Sequence, residues 1–553
     1  TGDCMVANLF GTDGIRGRVN LAVGDEKVAL ERLTEHRELS GPIMRLVGES
    51  LATSSQFTDE KNSRVVVGWD DRPANQQLVD YLTVGLNIAG FEVIHLGLCA
   101  TPLLHYATLC QSADYGCMIT ASHNPVEDSG VKIFNEFGFK TTPEFELELS
   151  RNIYSLAQED RDIDQIEFEK LAKPLTILNT SQHDVINHEK WLTQRYRQLV
   201  GITGTSLQDA KKLNQPLLID SSKGSAKSWL ADWLSSNGIM SVEVSKSSSM
   251  LNHNCGAGDF SPTQEWTFTE AINSEHVLLS KLSRCEPGLI VAAALDGDGD
   301  RCLLIESTNT GYRVIDGDRI ADTFVNCLTN SGYDWHIAAS IESDLSLTSN
   351  LNRFPNTVTA SETAVGDRWL SHSLARETTG ALLKNNSLPH LIGVEDSGHI
   401  VLPSAHPIFS KSWSLVGDGA MTLTAYLLAL TRMEPSSLMK RGWKQRQSVK
   451  DVDRSKWDGK NALAKLVENK FIEKLSQYGT IENWSKKPIH GESNLLLFVC
   501  NYSGAKLSLG VRNSGTQAKI SVSARLEHGG SNAGLQEAID SVCDILAQNM
   551  ASH

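Results

Sequence analysis

The chain has 553 residues, too many for one hydrophobic core, and a usual domain size of about 150 residues predicts three to four domains. Its 51 basic against 66 acidic side chains leave a net charge of -15, which repels a polyphosphate backbone and argues against nucleic acid as the main partner. At 40% apolar and 21% charged residues it is not a disordered chain, no run approaches the roughly 18 apolar residues of a membrane helix, and ten scattered cysteines form no CxxC pair. A folded cytoplasmic protein with buried, reduced thiols is expected.

Along the chain, Asp13, Arg16, Arg18 and Asp25 interrupt every apolar stretch of the first thirty residues, so no signal-peptide core can be drawn. There, Phe10-Gly11-Thr12-Asp13-Gly14-Ile15-Arg16-Gly17 holds Arg16 between glycines, which suits backbone approach to an anion or a plain solvated turn. Residues 64–68 read as a buried strand, 75–89 as a helix and 91–96 as a second strand, the order of a βαβ unit. A third buried strand, 116–119, runs into Thr120-Ala121-Ser122-His123-Asn124-Pro125, placing the Ser122 hydroxyl on the turn after a strand. Serine is a poor nucleophile unless a base, a metal or a phosphoryl group changes its chemistry, and His123 and Lys132 are the nearby candidates for the base. Asn124-Pro125 also suits simple turn punctuation.

Residues 158–170 read as a surface insertion. A second βαβ-like module follows: strand 216–220, helix 226–236 and strand 240–244, then a serine-rich loop at 245–249. The apolar run 289–295 ends in Asp296-Gly297-Asp298-Gly299-Asp300-Arg301, so three acids sit at a strand's carboxyl end, where open α/β sheets bind ligands. Alternate carboxylates with glycines between them can curl around one hard divalent cation. An EF-hand would need glycine and glutamate where Arg301 and Ser307 stand, so Mg²⁺ beside a phosphate is the better match. Glu395, Ser397 and His399 alternate in Gly393-Val394-Glu395-Asp396-Ser397-Gly398-His399 and on an extended loop would face sugar hydroxyls together; a turn role competes. The polar stretch 444–460 reads as the entry to a C-terminal α+β domain with strands at 494–500 and 519–524 and a helix at 535–550. Within it, Arg512-Asn513-Ser514-Gly515-Thr516-Gln517-Ala518-Lys519 collects donors for phosphate oxygens.

Taken in order, these motifs resemble the α-D-phosphohexomutase superfamily over about residues 8 to 525. Gly68-Trp69-Asp70-Asp71-Arg72-Pro73, Thr101-Pro102, Asp220 with Gly224, Val365-Gly366-Asp367-Arg368 and Gly417-Asp418-Gly419 extend the match. The resemblance implies an α/β fold of three related mixed-sheet domains plus a smaller C-terminal α+β domain around a central cleft. The expected boundaries are 1–190 with the phosphoserine loop, 191–310 with the metal loop, 311–440 with the sugar loop and 441–553 with the phosphate loop. It further implies that Ser122 carries a phosphoryl group and that Asp296, Asp298, Asp300 and that phosphoserine hold Mg²⁺. Glu395, Ser397 and His399 would grip the sugar, and Arg512, Ser514, Gly515 and Thr516 its distal phosphate. Lys132 would be the acid/base, with Arg16, His123 and Arg301 near the transferring group.

The implied reaction interconverts hexose 6-phosphate and 1-phosphate through a hexose 1,6-bisphosphate, in a monomer or homodimer whose partner is a small phosphosugar. Residues 10–17 look closest to the glucosamine-phosphate branch, and Ser397-Gly398-His399 suits that branch or the phosphomannomutase/phosphoglucomutase one. The chain departs from the glucosamine branch at Gly393-Val394-Glu395-Asp396 and at Gln517-Ala518, and carries extra sequence near 20–60 and 145–190. A Mg²⁺-dependent sugar phosphatase is the competing enzyme class, and a non-catalytic sugar-phosphate sensor the third.

Overall fold

The structure is a computed structural model that describes residues 8–54, 63–159, 161–178, 188–329, 333–375, 388–410, 412–433, 435–514 and 518–551. The chain packs into two compact units, one of Thr1–Ile320, Ala375–His390 and Ser397–Met433, the other of Ala321–Leu374, Leu391–Asp396 and Glu434–His553.

The first unit carries a seven-stranded mixed sheet in the order Glu38–Leu39, Ile15–Val19, Asp128–Asn135, Tyr115–Ile119, Arg64–Trp69, Glu92–Leu98, Thr176–Ile177. Arg64–Trp69 runs parallel to both Tyr115–Ile119 and Glu92–Leu98, with helices Asn75–Ile88 and Thr101–Cys110 as crossovers. Asp128–Asn135 is antiparallel and sets Lys132 directly opposite Met118, so the lysine's strand is registered against the serine's. A six-stranded sheet follows in the order Glu265–Thr267, Gly311–Ile315, Cys302–Ser307, Ile290–Leu295, Leu213–Asp220, Ser241–Glu243. Ile290–Leu295 is buried throughout and parallel to Leu213–Asp220, so the loops after Leu295 and Asp220 leave from the same, carboxyl end of the strands.

Two expectations shift. The helix expected at 226–236 is Leu230–Ser236, with turns over 225–229, and Ser225 donates its backbone N–H to Gly297 O at 3.0 Å. The insertion expected at 158–170 contains the exposed helix Gln165–Leu171, capped by Asp164.

The second unit holds the parallel strands Val358–Thr363, Trp335–Ser340 and Leu391–Val394. It also holds a five-stranded antiparallel sheet in the order Trp443–Lys450, Lys519–Leu526, Ala505–Asn513, Leu496–Tyr502, Ile481–Lys486. Leu509, Val511, Ile520 and Val522 from one face of that sheet pack with Val467 and Phe471 of helix Ala462–Leu475 and Ile539 and Val542 of helix Leu535–Met550. The polar stretch from 444, read as leading into the C-terminal domain, starts as an edge strand of this sheet; its run of Lys444, Arg446 and Lys450 gives no apolar alternation but suits an edge.

Among the described residues nine cysteines are free and all but Cys285 are buried. Burial pushes the Cys110 thiol up to about 11 and the Cys117 thiol up to about 12. No helix among the described residues is long and apolar enough to cross a membrane.

Helices Gly41–Ala52 and Asn75–Ile88 pack backbone to backbone, since a Cβ on Gly85 would lie 2.0 Å from Arg45 O and one on Gly48 2.7 Å from Leu82 O. Gly85→Ala is therefore expected to destabilise the first unit by about 1–3 kcal/mol through overpacking, read as a lower midpoint in denaturant; an unchanged midpoint would mean that the helices part without cost.

Candidate active site

Ser122 lies just beyond the wholly buried strand Tyr115–Ile119, with its backbone in the left-handed region at φ 56. That conformation costs a non-glycine residue about 1–2 kcal/mol and persists only where its surroundings impose it. Arg72, completely buried, imposes it: Nη2 donates to Ser122 O at 2.8 Å and Asn124 O at 3.2 Å, Nη1 to Pro125 O at 2.5 Å and Asp128 O at 2.8 Å, and Nε to Asp70 Oδ2 at 3.0 Å. Asn252 Nδ2 adds bonds to Ser122 O at 2.7 Å and Asn124 O at 2.8 Å. So caged, the Ser122 hydroxyl donates to Asp296 Oδ2 at 2.6 Å.

The acids expected to act together do converge. Asp296, Asp298 and Asp300 are buried, and each offers one oxygen within 4.8 Å of the others. Asp296 Oδ1 accepts from the backbone N–H of Asp300 at 3.1 Å and of Arg301 at 3.2 Å, curling the loop. Gly297 gives the serine loop room, since a Cβ there would lie 2.9 Å from Ser122 O. Asp298 Oδ2 accepts from Thr101 Oγ1 at 2.5 Å, and Lys132 Nζ donates to Asp298 Oδ2 at 2.6 Å and Asp300 Oδ2 at 2.7 Å. The other oxygens, Asp298 Oδ1 and Asp300 Oδ1, are buried without a hydrogen-bond partner. Two unsatisfied carboxylate oxygens beside a third acid form a donor set that fits a hard divalent cation.

The charges explain the protonation states. Burial raises Asp296 well above the usual carboxylate range, and the charges of Asp300 and Asp298 add to it. For Lys132, burial favours the neutral amine, but Asp13, Asp298 and Asp300 outweigh it and hold the ammonium well above its ordinary range. Asp13 lies 3.3 Å from Lys132 Nζ, 2.9 Å from Arg16 Nη2 and 2.9 Å from Lys140 Nζ; burial would raise its carboxyl, yet these cations, Lys132 foremost, hold it well below. Arg16 also donates from Nη1 to Ala121 O at 3.4 Å, beside Ser122. His123 is held neutral, first by burial and then by Arg301 and Arg16, and its Nδ1 has no hydrogen-bond partner. Arg301 Nε lies 3.7 Å from Asp296 Oδ2, and buried His399 Nε2 lies 3.7 Å from Asp300 Oδ2. Thus Ser122, Lys132, Arg16, Arg301, His399 and the three acids meet in one place.

The segment of Glu395, Ser397 and His399 is a turn with Gly398 at φ 89, not the extended stretch expected, so strand-like alternation does not govern where its side chains face. Ser397 is half-buried. In the second unit, Glu395 Oε1 accepts from Gly366 N at 2.7 Å, and the neighbouring Asp396 pairs with Lys444 at 2.7 Å. Arg512 Nη2 pairs with Glu342 Oε1 at 3.0 Å, and Arg454 holds Ser514 O at 2.7 Å. Gly515 and Thr516 lie outside the described residues. Sequence reading missed the structural roles of Asp13 and Asn252; Arg72 and Thr101 stood only among supporting positions.

Residues 7–160 match the family profile for phosphoglucomutase/phosphomannomutase, alpha/beta/alpha domain I, and residues 316–446 that for domain III. A phosphoglucosamine mutase of Bacillus mycoides (strain KBAB4) is 30% identical over 402 residues, 72% of this chain and 74% of the relative. The chain belongs to the α-D-phosphohexomutase superfamily. A phosphoglucosamine mutase of Ruegeria sp. (strain TM1040), 26% identical, aligns over 94% of this chain and 95% of its own length. The fold also matches a phosphoglucomutase/phosphomannomutase family protein from Burkholderia thailandensis with TM-score 0.60, covering 99% of this chain and 98% of that one at 19% identity. This phosphohexomutase is accordingly a mutase, of the isomerase class.

Two outcomes follow from the geometry. Arg72→Lys keeps a charge but loses the five-bond fork, so turnover is expected to fall at least tenfold with a lower melting midpoint; wild-type values would show that Ser122 holds its backbone without the fork. Burial would raise Glu342, but Arg512 and Arg446 hold it down to about 2 against an ordinary 4.5. Its folded-state pKa being depressed, its contribution to stability is complete above pH 4.5 and fades as pH falls through about 2. The stability gap between wild type and Glu342→Gln should therefore narrow over that acid window, and a gap independent of pH would refute the pairing.

Proposed function

We propose that this phosphohexomutase is a phosphoglucosamine mutase, interconverting hexosamine 6-phosphate and 1-phosphate through a phosphorylated Ser122 and a bisphosphorylated sugar. The Ser122 hydroxyl 2.6 Å from Asp296, beside the buried acid triad and Lys132, carries the reading. The 30% identity to the Bacillus mycoides relative supports the amino sugar, with phosphomannomutase/phosphoglucomutase activity as the alternative. The division of labour expected from the four segments 1–190, 191–310, 311–440 and 441–553 is part of the proposal.

In this reading Asp296, Asp298, Asp300 and phospho-Ser122 would hold Mg²⁺, which when bound supplies positive charge to the transferring phosphoryl group. Phosphoryl transfer needs in-line placement and charge compensation, and the chain's own cations Arg16 and Arg301 orient and neutralise the group beside Ser122. When Ser122 takes a phosphoryl group from the bisphosphate, the P–O bond to the sugar breaks and one to Ser122 Oγ forms. The Ser122 proton passes to Asp296, whose Oδ2 accepts its hydrogen bond at 2.6 Å, as another proton reaches the sugar oxygen. Lys132, held charged by three carboxylates, is the donor on the sugar side, and in the reverse direction it receives that proton. Glu395, Ser397 and His399 bind sugar hydroxyls, and Arg512, Ser514, Gly515 and Thr516 hold the phosphate that stays.

With glucosamine 6-phosphate and a trace of hexose 1,6-bisphosphate, the 1-phosphate should accumulate in preference to free phosphate; release of phosphate instead would favour the phosphatase. Ser122→Ala should abolish turnover and lose one phosphoryl mass from the intact protein, and normal turnover would defeat the acceptor role. Chelation should stop the reaction until Mg²⁺ is restored, and Asp298→Asn should shift that titration to higher metal; an unshifted curve would count against the triad.

A further inference from the structure

In the terminal antiparallel sheet, Arg446 stands opposite Ser523, Ser523 opposite Gly510, and Arg512 opposite Ser521. Residues directly opposite or two apart along a strand share a face, so both arginines, Ser521 and Ser523 project from the same side of the sheet. The opposite side is the apolar one packed on the two helices. Ser448 belongs to the same polar side, 3.0 Å from Ser521 through their hydroxyls. One carboxylate bridges the arginines: Glu342 Oε1 pairs with Arg512 Nη2 at 3.0 Å, and Oε2 with Arg446 Nη1.

We propose that Arg446 is a second guanidinium of the substrate-phosphate site, and that Glu342 occupies the phosphate's place between Arg446 and Arg512 in the free protein. The proposal rests on the mutase reading and adds a residue that reading does not use. Two guanidinium groups each holding one oxygen of a single anion form the arrangement that a phosphate monoester satisfies better than a carboxylate, having three terminal oxygens and up to two charges. Access supports it: the Arg446 side chain is 40% exposed, against 19% for Arg512 and 4% for Arg525, whose guanidinium is tied to Glu362 at 2.9 Å. Lys519 stands in the field of the same two arginines, its ammonium pushed down first by burial and then by Arg446 and Arg512. Glu342 foremost, with Asp396 and Glu395 adding to it, holds the Arg446 guanidinium above its ordinary range. A carboxylate bound there makes phosphate binding an exchange of anions. Affinity for the sugar phosphate is therefore set by the competition and not by the arginines alone.

The roles predict opposite shifts. Arg446→Gln removes an arm of the clamp, so the dissociation constant for inorganic phosphate, measured by calorimetry on the full chain, should rise about tenfold, with a similar rise in KM and little change in kcat. Glu342→Gln removes the competing anion, so both constants should fall. A merely structural salt bridge would move both variants the same way, and that result, or an unchanged phosphate affinity in Arg446→Gln, overturns the proposal. Arg446→Lys, which keeps the charge, should bind phosphate between wild type and Arg446→Gln and separates loss of an arm from loss of fold. Should the wild type turn over no hexose phosphate, the mutase reading falls, while the direction of the phosphate-affinity shifts still decides the role of Arg446.

Discussion

The ammonium of Lys132 holds the site together. Two like charges about 4 Å apart repel by roughly 4 kcal/mol at an effective dielectric constant near 20, so three buried aspartates cannot share a loop without compensation. Lys132 supplies part of it by bonding Asp298 and Asp300, and Asp13 holds the lysine from another side. Asp13 is in turn shared with Arg16 and Lys140. Acids and bases alternate through the cluster, so its members depend on one another. The antiparallel register of Asp128–Asn135 on Tyr115–Ile119 delivers Lys132 to this point. Strand pairing thus fixes electrostatics, and electrostatics fixes which groups carry protons near Ser122.

A second constraint acts on the backbone. Ser122 is held in a conformation that most residues avoid, and the restraint comes from one guanidinium binding four carbonyl oxygens of the loop, with Asn252 adding bonds to two of them. Such a loop does not have to reorganise when its hydroxyl reacts, which is the structural meaning of preorganisation. Gly297 and Gly224 serve the same end, since a Cβ on Gly224 would lie 2.2 Å from Gly297 O and would push the acid loop away.

The sequence was legible where chemistry is local. Asp296, Asp298 and Asp300 lie within one turn, so their spacing alone announced a cation site, and the buried strand before Ser122 announced the turn after it, although the serine itself is buried. It was least legible where distant segments meet. Asn252 reaches Ser122 O across 130 residues and stands in no pattern that singles it out, while Thr101 reaches Asp298 across 197 and was marked only as a supporting position without its contact. Local geometry also departed from the pattern: residues 225–229 form turns ahead of the helix, and Gly398 folded into a turn a segment whose alternation looked extended. The strand Trp443–Lys450 was hidden for the opposite reason, because a polar edge strand lacks the apolar rhythm by which strands are recognised.

The buried thiols have a practical consequence for anyone wishing to watch this enzyme work. Of the described cysteines only Cys285 is even partly open, and burial suppresses the thiolate at the interior positions. A cysteine engineered onto an exposed surface would therefore outcompete those interior sulfurs for maleimide. Fluorophores or spin labels could then be attached with replacement of Cys285, and of Cys4 outside the described residues, in place of a wholesale removal of native sulfur from the packed core.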